Sequence, residues 1–176
     1  RSWHPEDRAR IKRAEEMTKD ELIAIMPYAK NRADTFLEPL NECMDAYEIN
    51  TPLRQAAFLA QIGHESVQLK YMEEIASGAA YEGRKDLGNT QPGDGVKFKG
   101  RGVIQITGRQ NYLDCGNALG VNFISNPELL ETPKNACLSA AWFWKSHGLN
   151  ELADTGDILR ITKKVNGGIN GLEERQ

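Results

Sequence analysis

The sequence predicts a mainly α protein carrying one loop-rich, or small β-hairpin, insert. Three observations predict it. Apolar residues recur at intervals of three and four through several separate segments, the period of a helix with one buried face. Thr-Pro pairs and Thr or Asp caps stand at the heads of those segments, where helices begin. Between residues 78 and 102 the periodicity stops, and Gly and Pro accumulate. Loops of that length in a folded domain are usually functional or disordered.

The elements follow in order. Residues 1–16 are dense in charge and poor in large apolar side chains, as in a linker or the tail of a preceding segment, and the domain is expected to run from Met17 to the end, 17–176. Thr18 with Glu21 forms a capping box, and Leu22, Ile23 and Met26 give an apolar face that Pro27 ends or bends. Ala33, Phe36, Leu37, Leu40, Met44 and Tyr47 mark the clearest amphipathic helix. Thr51-Pro52 opens the next, whose Leu53, Ala56, Ala57, Phe58, Leu59, Ala60 and Ile62 leave almost no polar face, so it is expected to be central and buried. Residues 103–107 fit a short strand with Ile104 and Ile106 on one face. Tyr112, Cys115 and Leu119 mark a further helix. Thr132-Pro133 starts another, with Cys137, Ala140, Ala141 and Trp144 inward. Asp157 caps the last, which carries Ile158, Ile161 and Val165 and is expected to stop at Gly167-Gly168.

With 176 residues the chain suits one domain. Its 40% hydrophobic and 27% charged residues are ordinary globular usage. No apolar stretch approaches the roughly 20 residues that cross a bilayer. A net charge of −3 argues against a general nucleic-acid binder, whose affinity comes from neutralising phosphates. Cys43, Cys115 and Cys137 are too few and too widely spaced for a zinc ribbon or a disulfide framework. At most one bridge is compatible with them, its pairing left open, and three small buried hydrophobes is the simpler reading. No signal peptide opens the chain, and the missing initiator Met suggests a piece of something longer.

Several motifs fail. His64-Glu65 begins like a zincin helix, but Gln68 stands where the second His belongs. Gly95 and Gly100 have phosphate-loop spacing, but Arg101-Gly102 replaces the Lys and hydroxyl residue. Ser66 lacks the flanking glycines of a nucleophile elbow. What survives is an arrangement of carboxylates. Glu65 ends a nearly all-apolar helix, where desolvation raises a carboxyl pKa toward what a general acid needs. Glu74 and Glu82 enter and occupy the wetter Gly-rich loop, where a carboxylate stays ionised. Two carboxyl groups in contrasting environments are the logic of glycoside hydrolysis. Composition alone favours the plainer alternative, a glutamate capping a helix or paired with Arg84 or Arg101.

The segment from Phe58 to Ser66 (Phe-Leu-Ala-Gln-Ile-Gly-His-Glu-Ser), the segment from Gly100 to Thr107 (Gly-Arg-Gly-Val-Ile-Gln-Ile-Thr) and Asn111-Tyr112 resemble glycoside hydrolase family 19. Trp142-Phe143-Trp144 and Val165-Asn166-Gly167-Gly168 extend the resemblance in the same order. The resemblance implies a lysozyme-like, two-lobed, α-rich fold with a cleft between the lobes. It places the general acid on Glu65 and the second carboxylate on Glu74, with Glu82 the rival. Thr107 matches a hydroxyl that holds the attacking water. Gln105, Asn111 and Asn166 match cleft-lining polar residues, and His64 and Arg101 match supports of the acid. Tyr81 is expected to line the cleft or shield the loop. Two plainer alternatives stand beside these: Trp142 and Trp144 as core, and Asn166 as a helix C-cap.

There are departures from the family pattern. Val67-Gln68-Leu69 replaces the glycines that follow the family's triplet, and the loop is shorter, implying fewer sugar subsites. Relatives continue beyond the position of Gln176, so the final lobe is expected to be incomplete. The resemblance implies a metal- and cofactor-free hydrolase of β-1,4 bonds in an N-acetylhexosamine polymer. Peptidoglycan is the first expectation, for a phage endolysin or the lytic domain of an antibacterial effector. Chitin, lytic transglycosylation and a sugar-binding module without catalysis are the alternatives. The expected partners are glycan strands, and an immunity protein for an effector, with no nucleic acid or membrane. The protein is expected to be a monomer acting in the periplasm after delivery.

Overall fold

The computed structural model describes residues 16–170, with side chains to residue 167; the predicted 1–16 linker falls almost wholly outside them. Eight α-helices are present among the described residues: α1 (Lys19–Ile25), α2 (Ala33–Ala46), α3 (Pro52–Glu65), α4 (Asp94–Lys97), α5 (Arg109–Leu119), α6 (Pro133–Ser146), α7 (Leu149–Thr155) and α8 (Ile158–Asn170). Short 3-10 turns occupy Pro27–Arg32, Ala79–Tyr81, Lys85–Leu87 and Pro127–Glu131. No helix among them is long and apolar enough to cross a membrane.

The helix starts are where the caps put them. Thr18 accepts the Glu21 N–H at 3.2 Å while Glu21 reaches back to the Thr18 N–H at 3.3 Å, a complete capping box. Thr51 accepts the Arg54 N–H at 3.2 Å, with Pro52 in the first turn. Asp157 accepts the Arg160 N–H at 3.1 Å. At the domain start, Met17 is buried and joined through both backbone groups to the Asn41 side chain at 2.9 Å.

Helices α2 and α6 form the centre. Phe36, Leu40 and Met44 meet Ala136, Ala140, Ala141 and Trp144 in one buried cluster, small against large as close packing requires. Phe58 of α3 packs edge-on to Trp144 at 5.4 Å between centroids. The Trp144 indole N–H donates to Asn150 at 3.0 Å, and Asn150 donates to the Tyr47 carbonyl at 3.1 Å. Trp144 is therefore core. Cys43, Cys115 and Cys137 are free and fully buried.

Three expectations are corrected. Helix α3 is not buried all round: Leu53 is 59% exposed, and Ala56, Ala60 and His64 are exposed with it. These positions fall on one helical stripe, and alanines carry too little apolar area to demand burial. Residues 103–107 form a tight turn instead of a strand, with Val103, Ile104 and Ile106 all buried. Helix α8 runs through Gly167-Gly168 to Asn170, so Asn166 is not a C-cap.

The 78–102 segment is ordered by buried polar contacts, which is why it needs few apolar side chains. Asp94, 1% exposed, takes two bonds from Arg109 at 2.8 Å. Buried Asn89 accepts the Arg109 N–H at 2.8 Å and donates to the Tyr81 carbonyl at 2.9 Å. No hairpin forms there. The only β pairing among the described residues is a pair of isolated antiparallel bridges, Glu73 with Arg101 and Arg101 with Ile106.

Candidate active site

Those two bridges build the site. Residues 72–74, 100–102 and 106 lie side by side as a rudimentary ladder: Glu74 N–H donates to the Gly100 carbonyl at 2.9 Å, Gly102 N–H to Met72 at 2.8 Å, and Arg101 and Ile106 exchange bonds at 3.0 and 2.9 Å. Side chains alternate between the faces of such a ladder. Glu74, Gly100, Gln105 and Thr107 face a cleft of about 230 Å³. Glu73, Arg101 and Ile106 belong to the opposite face.

Helical residues complete the lining, and Tyr81 joins it beside Glu74. Glu65 comes from the last turn of α3, and Val165 and Asn166 from α8. Burial pushes the Glu65 carboxyl above the usual carboxylate range, with His64 opposing it. That is the desolvated glutamate the sequence predicts.

After Glu65 the chain turns in an unusual way. Val67, Gln68 and Leu69 all adopt left-handed backbone, at φ of 52°, 54° and 67°. Each is disfavoured for a residue with a Cβ, most of all for β-branched Val67. The turn is held from several sides. The Ser66 hydroxyl donates to the Ile62 carbonyl at 2.6 Å and accepts from the Leu69 N–H at 2.8 Å. Gln68 accepts the Tyr28 N–H at 2.8 Å, and Leu69 is buried.

Glu74 is held at both oxygens. Gly100 N–H donates to one at 2.6 Å and the Tyr81 hydroxyl to the other at 3.2 Å, the acceptor pattern of a carboxylate. Burial, then the Glu74 charge, pushes the Tyr81 phenol up. The Thr107 hydroxyl donates to the Gln105 carbonyl at 2.9 Å, and Thr107 lines the cleft. Gln105, at φ of 66°, donates to the Gly102 carbonyl at 2.9 Å.

Six of the ten predicted site residues thus meet in one cleft: Glu65, Glu74, Tyr81, Gln105, Thr107 and Asn166. Four do not line it. Glu82 is exposed and accepts the N–H groups of Gly93 at 2.9 Å and Gly95 at 2.8 Å. These bonds hold its carboxyl below the usual range and fasten the loop. Arg101 lies on the other face of the ladder, bonded to Glu131 at 2.9 Å and to Tyr112 at 3.0 Å, away from Glu65. Asn111 donates to the Thr107 carbonyl at 2.8 Å from the first turn of α5. His64 is exposed beside the acid. Gly100 and Val165 line the cleft without having been singled out for it. For Gly100 the signal was its place one residue before Arg101, on the alternate face. No three His, Cys, Asp or Glu side chains among the described residues converge to hold a metal ion.

A profile of glycoside hydrolase family 19, described as class I chitinase, matches residues 48–154. A glycosyl hydrolase family 19 domain-containing protein of Haemophilus influenzae is 33% identical over 157 residues, covering 70% of this chain and 75% of that protein. An endochitinase of Arabidopsis thaliana is 36% identical over 129 residues, 72% of this chain and 44% of its own length. The crystal structure of chitinase C from Streptomyces griseus superposes with a TM-score of 0.61 at 26% identity, over 76% of this chain and 56% of that one. The chain therefore spans about half the length of these two chitinases. On the profile match and the Haemophilus relative together, the chain belongs to glycoside hydrolase family 19.

Proposed function

We propose that the chain hydrolyses β-1,4 bonds of bacterial peptidoglycan by single displacement with inversion. The observation that carries this reading is that Glu65, from a helix end, and Glu74, from the ladder, line one cleft under different constraint. Glu65, partly desolvated at a helix end, is the proton donor to the glycosidic oxygen. Glu74, accepting two hydrogen bonds, takes a proton from water that the Thr107 hydroxyl helps to hold. Inversion requires roughly 6.5–9.5 Å between the carboxyl groups to admit that water. Tyr81 orients Glu74, and Gln105 and Asn166 meet the sugar hydroxyls and acetamido groups. Peptidoglycan is favoured by the short loop set, which suits a phage lysis protein or the lytic domain of an effector working as a monomer in the periplasm. An effector would be paired with an immunity protein.

Chitin is the second reading, favoured by the chitinase names of the Arabidopsis and Streptomyces relatives. Mass spectrometry of products from peptidoglycan and chitin oligomers, for wild type and Glu65→Gln, tests both. Hydrated muropeptides from wild type and not from the variant support the proposal. Cleavage of chitin alone makes it a chitinase, and anhydro sugars make it a transglycosylase. Binding without cleavage makes it a sugar-binding module.

A further inference from the structure

The reverse face of the ladder carries a charge network that the cleft chemistry does not use. Lys99 forms an ion pair with Glu73. Arg101, only 9% exposed, binds Glu131 at 2.9 Å, the Lys97 carbonyl at 2.6 Å and the Tyr112 hydroxyl at 3.0 Å. Tyr112 in turn donates to the Lys99 carbonyl. Lys99 holds Glu73 below the usual carboxylate range, whereas burial and the Glu73 charge push Glu131 up. Two ion pairs, Lys99 with Glu73 and Arg101 with Glu131, thus stand behind the ladder, and Tyr112 joins Arg101 from α5.

Glu131 is the member of this network that comes from beyond α5 in the chain. It ends the 3-10 turn Pro127–Glu131, two residues before α6, the helix at the centre of the core. The contact therefore ties the ladder to the helical body from behind, while Glu74 hangs from the front of the same strand. We propose that Glu131 is a positioning residue: by gripping Arg101, which is bridged to Glu73, it fixes the register in which Glu74 meets Gly100, and so sets the Glu74 carboxylate in the cleft. This rests on Glu74 being the base of the proposed reaction.

The physical need is clear. Without Glu131 the Arg101 guanidinium remains buried with neutral partners only, an expensive arrangement that the strand relieves by shifting. A shift of about 1 Å in a catalytic group is enough to lower turnover by about a hundredfold. Substrate binding, spread over the whole cleft, is affected far less.

The test uses Glu131→Ala, Glu131→Gln and Glu131→Asp in the whole chain, with folding checked by circular dichroism. Rates on peptidoglycan and chitin oligomers give kcat and KM, and amide exchange of Gly100 reports the ladder without any reaction. Glu131→Ala is expected to lower kcat at least about tenfold with KM within about threefold, and to speed Gly100 exchange. Glu131→Gln, which keeps an oxygen that accepts from Arg101, is expected to recover most of the rate. A folded Glu131→Ala with wild-type kcat and wild-type Gly100 exchange overturns the proposal. So does a loss of rate that only follows the unfolded fraction. If Glu131→Ala does not fold, Glu131→Asp decides by the same two readouts. Wild type cleaving neither polymer overturns the catalytic reading instead, and Gly100 exchange then decides the positioning alone.

Discussion

Glu74 and Gly100 exchange two hydrogen bonds: the Gly100 N–H reaches the Glu74 carboxylate at 2.6 Å, and the Glu74 N–H reaches the Gly100 carbonyl at 2.9 Å. A glycine is needed opposite because a Cβ there would lie 2.8 Å from the Gln105 side-chain oxygen and 3.3 Å from the Thr107 hydroxyl. Gly100→Ala is therefore expected to push both cleft side chains aside. The fold survives with a loss of about 1–3 kcal/mol, the usual cost of overpacking, while turnover falls about 10–100-fold. Chemical denaturation and kcat measured side by side separate the two effects. Wild-type turnover in the variant would show that Gln105 and Thr107 need not stand where they do.

The Glu65 prediction joins rate to stability. Burial raises its folded-state pKa above that of the unfolded chain, so the folded protein holds this proton more tightly. The desolvation cost is absent below the unfolded value and fully present above the folded value. Stability contributed at this site thus falls as pH rises through that window. Glu65→Gln is expected to lose about 10²–10⁴-fold in rate and yet to melt higher than wild type at neutral pH, with the difference vanishing in acid. Melting curves at two pH values check it. Equal melting at both would remove the desolvation argument for Glu65 as acid.

The left-handed turn gives a prediction with an internal control. Val67 is 55% exposed at φ 52°, so glycine there relieves strain of about 1–2 kcal/mol against about 0.5–1 kcal/mol of unfolded-chain entropy. Val67→Gly is expected to stabilise by up to about 1 kcal/mol. Gln68→Gly relieves similar strain but forfeits the 2.8 Å bond from the Tyr28 N–H, so it is expected to gain nothing. Urea unfolding distinguishes them. Destabilisation by Val67→Gly would mean that the contacts around Ser66 set the geometry without strain.

Most of the helices were legible because their signals are local: a capping box at Thr18, a Thr-Pro start at Thr51, a four-residue apolar period across α2. Glu65 was legible for the same reason, at the end of one such helix. The errors came where tertiary context overrides pattern. Ile104 and Ile106 alternate as in a strand, yet the chain turns between Arg101 and Ile106 and buries Val103 too. Gly167-Gly168 carries a stop signal that α8 ignores. Residue pattern alone did not separate Glu74 from Glu82, and only the family resemblance preferred Glu74. Both sit in the same polar loop, and only the pairing of residue 74 with Gly100, 26 positions away, and of residue 82 with Gly93 and Gly95 gives them different surroundings.

That difference makes the last prediction. Both Glu82 oxygens are occupied by backbone N–H groups, and Gly95 comes so close that a Cβ would lie 2.6 Å from the Glu82 nitrogen. Glu82 is therefore a fastener of the loop, and its depressed pKa means that the fastening holds at neutral pH and weakens as acid protonates it. Glu82→Gln keeps one acceptor and is expected to retain hydrolysis within about threefold, with faster thermolysin nicking between residues 82 and 95 as the loop loosens. Glu74→Gln is expected to lose about 10²-fold or more with no change in nicking. If instead Glu82→Gln abolishes hydrolysis while Glu74→Gln spares it, the base lies in the loop, and the two hydrogen bonds to Glu82 must open before the enzyme can turn over.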